Sequence, residues 1–214
     1  MTGVQKYVNS WFKYNNWRYD IIYKYLKKNK ELINPEKDEL IYFSNIKSTL
    51  DHTLLADILW YMRIFNEKEI NLNKQNCEYL KIGDLSKGNY SELIHNDKNK
   101  NCYLENLHFL QKEIITLYLK EIKTKENNEL FFMEDIYYND TMGNKIMKNR
   151  FDCFYHVINH STHHIGQISS IISKYDKLLH PELDFTIFLN DLNTIENKEI
   201  TCPSAFDPAH SKLI

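Results

Sequence analysis

The chain has little alanine, no paired cysteines, almost no net charge and no long apolar run. Each of these absences excludes something. Alanine occurs only three times in 214 residues, so helices must draw on leucine, lysine, glutamate and tertiary packing instead of intrinsic propensity. The same composition, heavy in Asn, Lys, Ile and Tyr, looks like a nucleotide bias. The four cysteines, Cys77, Cys102, Cys153 and Cys202, stand singly and form no CxxC pair, which leaves reduced thiols as the default. A net charge of −2 and a pI of about 6.5 provide no basic field to hold a nucleic acid by counterion release. No window approaches 18 uninterrupted apolar residues, and the N-terminus has no basic-then-apolar leader pattern. These readings predict a cytoplasmic protein with no nucleic-acid and no membrane partner.

What is present supports a globular core, since 43% of residues are hydrophobic and 26% charged. Residues 5–30 carry Val8, Trp11, Phe12, Ile21, Ile22, Tyr25 and Leu26 at helical intervals, and Asn34-Pro35 ends the segment. A second helix is predicted over 39–65, apolar on most sides and therefore central. Residues 66–100 are rich in Asn and Lys and read as a long solvated connection. A third helix follows over 102–124, with Leu104, Leu107, Leu110, Ile114, Leu117 and Leu119 on its buried side. Residues 130–147 alternate weakly around Gly143, as a small hairpin does. A fourth helix spans 147–174, and Pro181 and Asp184 introduce a short helical piece ending near Leu189. No internal repeat or linker is visible. The reading is all-α: a four-helix bundle with a long crossover between helices 2 and 3 and a small β-hairpin before helix 4, in one domain over 1–190. Residues 191–214 are a tail, packed on the surface or mobile.

Four of the nine histidines crowd into the fourth helix. At about 100° per residue, His156, His160, His163, His164 and Gln167 share an arc roughly 100° wide. His160 and His164 stand one turn apart, the spacing that lets two imidazoles converge on one ion. Zn–N bonds of about 2.0–2.1 Å require a third donor from another helix. His52, the only histidine of the apolar second helix, is the best candidate, with Leu55, Leu59 and Met62 continuing its stripe. A buried imidazole without a partner costs about 1–3 kcal/mol, so it wants a hydrogen bond or a metal. His108 is a weaker competitor, while His95, His180 and His210 fall in loop or terminal contexts. An ordinary hydrogen-bonded core histidine is the alternative at each position. Cys153 lies two turns, about 10 Å, from His160 along the axis and reads as a small buried hydrophobe. Trp11, Tyr14, Trp17, Tyr19 and Tyr23 make the first helix amphipathic, and any exposed excess would suit a homodimer face.

The run from Asn159 to Gln167, Asn-His-Ser-Thr-His-His-Ile-Gly-Gln, resembles the signature of the DinB-like (DinB/YfiT) family of metal-binding four-helix proteins. The segment Leu50 to Trp60, with His52, Asp57 and Trp60, is similar to that family's second-helix motif. The order of elements agrees over roughly residues 5–190. The resemblance implies His52, His160 and His164 as the three ligands of one divalent transition metal. One departure stands out: Ile165 occupies a position where the family commonly has arginine, so any role of that arginine is not carried over. His156 and His163 then become outer-shell or packing residues. Gln167 either hydrogen-bonds a ligand imidazole or caps a neighbouring helix, and Gly166 is expected to allow close helix contact. Asp57 lies about 140° from His52 around the helix and is read as structural despite its match.

Three neutral imidazoles leave an open coordination position, the pattern of a reactive site. Zn²⁺ or Ni²⁺ suits such ligands best, with Fe and Mn also compatible. The expected partner is a small-molecule substrate. A low-molecular-weight thiol is one candidate, because some members of the family are thiol S-transferases; hydrolysis is the other reaction type. A non-catalytic metal-binding or dimerisation module is the alternative. No catalytic residue beyond the metal set is legible.

Overall fold

Apolar and aromatic residues recurring every three to four positions give α1 (Gly3–Lys28) a buried face of Val8, Phe12, Tyr19, Ile22, Tyr23 and Leu26. The computed structural model describes residues 3–33, 42–43, 45–67, 70, 103–140, 142–175 and 181–200, the segment 193–200 as backbone only. A short 3₁₀ turn, Lys30–Ile33, follows α1. The next helix, α2 (Ile46–Phe65), starts where the Asn45 side chain accepts a hydrogen bond from Ser48 N at 2.7 Å. It ends at Asn66, whose left-handed φ of 57° returns a backbone N–H to Met62 O. The expected start at residue 39 is too early: residues 42 and 43 stand in a turn and the extended Asn45 caps the helix, so it begins at Ile46. Nearly all of the 66–100 connection lies outside the described residues.

The third long helix, α3 (Tyr103–Thr124), matches the expected span, but its buried stripe differs. The core positions are Leu104, Leu107, Gln111, Ile114, Ile115, Tyr118 and Ile122, while Leu110, Leu117 and Leu119 are only half-buried. Gln111 and Tyr118 go inside because their polar ends are used there: Gln111 Nε2 donates to Asp57 Oδ2 at 2.7 Å and the Tyr118 hydroxyl donates to Asp57 O at 2.9 Å. A short α4 (Glu129–Met133), not foreseen, is capped by Asn128. Two antiparallel strands follow, β1 (Asp135–Asn139) and β2 (Lys145–Asn149), with Tyr137 opposite Met147. Asp140 closes their turn by accepting from Met142 N and Asn144 N at 2.8 Å each, and Gly143 takes the positive φ of 85°.

The hairpin's second strand runs directly into α5 (Arg150–Tyr175), so the fourth long helix begins three residues later than its periodicity suggested. Arg150 fixes that junction. Its Nη1 donates to Phe131 O at 2.5 Å and to Glu134 at 2.7 Å, its Nε donates to Ile64 O at 3.1 Å, and its guanidinium lies 3.9 Å over the Phe131 ring. Both α1 and α2 pack on α3 and on α5, so the ring-rich core of Phe12, Tyr118, Phe132 and Phe154 sits between all of them. Each such aromatic, fully buried, contributes about 1.5–3 kcal/mol. The protein is thus mostly helical with one small two-stranded sheet.

The chain divides into two compact units, Met1–Pro181 and Glu182–Ile214. Within the second, α6 (Phe185–Ile200) runs well past the expected end near Leu189, with Phe185 and Phe188 meeting at 5.7 Å one turn apart. The rest of the expected tail, including Pro203 and Pro208, lies outside the described residues. Among the described residues no helix is long and apolar enough to cross a membrane.

Candidate metal centre

Helices α2 and α5 lie against one another, and the face between them carries the histidines. His52 Nε2 lies 2.9 Å from His160 Nε2, and His164 Nε2 lies 3.2 Å from the same atom. One nitrogen from each of the three falls within 4.8 Å of the others. The i, i+4 spacing of His160 and His164 brings their rings to 4.5 Å, and α2 supplies His52 at 4.9 and 4.8 Å from them. Bonds of about 2.0–2.1 Å at tetrahedral angles would hold ligand nitrogens about 3.3 Å apart, so the two short separations are close to that spacing.

The donor chemistry also fits a cation. The Nδ1–H of His164 donates to Gln167 Oε1 at 2.7 Å, which leaves a lone pair on its Nε2. His160 Nε2 can carry at most one hydrogen and faces two neighbouring Nε2 atoms, while its Nδ1 is buried with no partner. Hydrogen bonds alone therefore cannot satisfy the three rings. Burial pushes the His160 imidazole down to about 3, and the neighbouring imidazoles push the same way. Burial and His164 lower His52 to about 4, and burial lowers His164 against the pull of Gln167. All three are neutral near pH 7, the state a metal requires. Among the described residues no carboxylate or cysteine joins them.

Aromatic side chains flank the cluster at both ends. Phe43, which precedes α2, stacks on His52 at 4.2 Å and reaches His164 at 5.5 Å. Expected inside the second helix, Phe43 lies instead in the turn ahead of it, where no helical periodicity marks its contacts. On the other side, His156 stands 5.7 Å from His160 and against Trp60 at 4.7 Å; Trp60 in turn meets Tyr138 at 5.4 Å. Arg63 lies over both the Trp60 and Tyr138 rings, at 5.0 and 4.6 Å, and donates to Asn139 O. His163 is exposed, 4.9 Å from His164.

His52 sits on the half-buried flank of α2, with Leu59 and Met62 half-buried behind it, while the deepest face is Leu50, Leu54, Ile58 and Ile64. Of the two roles left open for Gln167, it is the hydrogen bond to an imidazole that forms. Gly166 makes no close helix contact: a Cβ built there meets nothing within 4 Å, because the residue faces solvent. Asp57 points away from the histidines into the core, bonded to Gln111. Cys153 is a buried free thiol whose pKa burial raises. His108 is accounted for elsewhere, 2.6 Å from Asp20 Oδ1 and 3.0 Å from Lys27 Nζ. His95, His180 and His210 lie outside the described residues.

Fold and site together define a mostly helical protein with three clustered histidines that could hold a divalent metal ion. Compared with protein-family models, with curated proteins and with solved structures, the chain matches none.

Proposed function

We propose that the chain is a DinB-like four-helix-bundle protein that binds one divalent transition metal, Zn²⁺ or Ni²⁺ first, through His52, His160 and His164. The observation that carries this reading is the convergence of the three Nε2 atoms without an acid or a complete set of hydrogen bonds to explain it. A metal held this way supplies Lewis acidity, which lowers the pKa of a thiol or water reaching its open position. Gln167 holds the His164 ring in one tautomer, and Phe43 keeps water from one side of the imidazoles. Neutral His156 stands next to His160 and can accept a proton. The reaction class is thiol S-transfer or hydrolysis on a small molecule, in a cytoplasmic protein that forms a homodimer through its helices.

The metal-loaded protein, given a low-molecular-weight thiol and an electrophile and, separately, ester and amide substrates, tests the activity. Metal-dependent consumption of the thiol selects the transferase, and metal-dependent cleavage selects the hydrolase. One observation favours the second reading, a non-catalytic metal-binding or dimerisation module: among the described residues no carboxylate base stands with the three histidines. Silence on every substrate with one metal bound per chain would support it. A monomeric mass by light scattering at micromolar concentration would remove the dimer.

A further inference from the structure

The two helices that carry the histidines hold few acids. Helix α2 has Asp51 and Asp57, and α5 has Asp152 alone. Asp51, next to His52 in sequence, accepts from the Tyr103 hydroxyl and lies 3.6 Å from Lys47 Nζ. Asp57 accepts from Gln111 in the core. Asp152 is exposed two turns before His160, about 12 Å along the axis. Among the described residues no carboxylate oxygen joins the three imidazoles. The charge that does stand near them is a cation: Arg63 lies over Trp60, whose ring meets His156 beside His160.

The outer partner is neutral as well. A ligand imidazole commonly passes its second N–H to a carboxylate, a backbone carbonyl or a water. His164 Nδ1 instead donates to the side-chain amide oxygen of Gln167 at 2.7 Å. Glutamate has the same length and an oxygen in the same place, so the hydrogen bond itself does not require an amide. What the amide withholds is a negative charge. A divalent ion held by three neutral imidazoles therefore keeps its full charge in a partly buried setting, where an uncompensated charge is costly.

We propose that this site selects ligands that present an anionic donor atom, and that the neutral side chain of Gln167 sets the preference. The inference rests on the three-histidine metal reading and adds to it the substrate class: a small molecule bound through a thiolate, a carboxylate or a similar anionic group, not through a neutral donor. A glutamate at position 167 would supply the missing charge from within the protein. It would hold the ion more tightly and the incoming anion more weakly. Gln167 is in these terms a positioning and specificity residue, acting through the His164 ring.

The test loads the full chain with Co²⁺, measures retained cobalt by metal analysis, and titrates azide against the visible cobalt absorption. Gln167→Glu should retain cobalt at least as well as the unaltered protein. It should bind azide about 10-fold or more weakly, as one charge within about 10 Å at an effective dielectric near 20 implies, while neutral imidazole shifts by less than about 3-fold. A purely orienting role would leave azide unmoved, because glutamate accepts the same hydrogen bond. Unchanged azide affinity with cobalt retained overturns this inference and leaves the metal reading standing. An equal loss for azide and imidazole also overturns it, since a distorted site and not a charge would be the cause. Loss of cobalt from the unaltered protein overturns both readings. If the variant fails to fold, the unaltered protein decides: acetate should displace azide, and acetamide, its neutral isostere, should not. Equal displacement by the two overturns the inference.

Discussion

Two partly buried histidine environments in this chain differ in what stands around them. On the α1–α3 side, His108 is bracketed by charge: its Nε2–H donates to Asp20 at 2.6 Å, Lys27 donates to its Nδ1 at 3.0 Å, and Tyr23 stacks on it at 4.7 Å. On the α2–α5 side, His160 is bracketed by other imidazoles and keeps a buried, unpartnered nitrogen. The first ring is fully used by the fold. The second has its Nε2 within 2.9 and 3.2 Å of two other imidazole nitrogens, and that difference separates a structural histidine from a candidate ligand.

Exchanging the two tests the comparison with the largest effect. His160→Ala should abolish stoichiometric metal binding, an affinity loss above about 100-fold, while leaving the helical circular dichroism in place. Equilibrium dialysis with metal analysis reads the first and spectroscopy the second; unchanged metal content would break the assignment. Gln167→Ala frees the His164 ring and should weaken metal binding by about 10–100-fold in a competitive chelator titration. His108→Ala should do the reverse of His160→Ala, keeping the metal and costing about 1–2 kcal/mol in denaturant unfolding.

Acid sharpens the same contrast. The folded protein holds His52 and His160 well below their ordinary value of 6.5, so the unfolded chain takes up protons first. Their contribution to stability is therefore full above about pH 6.5 and is lost as pH falls toward about 4 and 3. An ion held by these nitrogens would also be displaced as pH falls, because protons and the ion compete for the same lone pairs. Asp20 acts later: His108 and Lys112 outweigh its burial and hold its carboxyl below 3.8, so its contribution fades only at stronger acid. Melting temperature against pH, with and without metal, reads both. A metal-free protein equally stable at pH 7 and pH 4.5 would contradict the reading. The smallest effect is at Gly166, exposed inside α5 with nothing near its Cα: Gly166→Ala should stabilise by about 0.4–1 kcal/mol with no change in metal affinity.

The long helices were legible because their apolar residues recur at helical spacing, and the His160–His164 pair because one helical turn is a fixed geometry. The third partner was legible as chemistry, a lone histidine in an apolar helix. What escaped has physical reasons. Gln111 and Tyr118 read as breaks in an apolar stripe, because only the tertiary position of Asp57 shows where their polar ends go. Helix α4 hides in a run whose aromatics suit strand as well as helix. The start of α5 was placed early because Met147 continues its apolar spacing, although pairing with Tyr137 holds that residue in a strand. Phe43 reaches His164 and Arg150 reaches Ile64, contacts distant in sequence that no local pattern encodes. Gly166 was given a packing role that its exposure denies.

X-ray absorption on protein loaded with one equivalent of Zn²⁺ and dialysed asks the central question directly. The expected result is retention of one ion per chain with three imidazole nitrogens at about 2.0–2.1 Å and one exchangeable oxygen ligand such as water. A spectrum with a sulfur shell, or loss of the ion on dialysis, would contradict it.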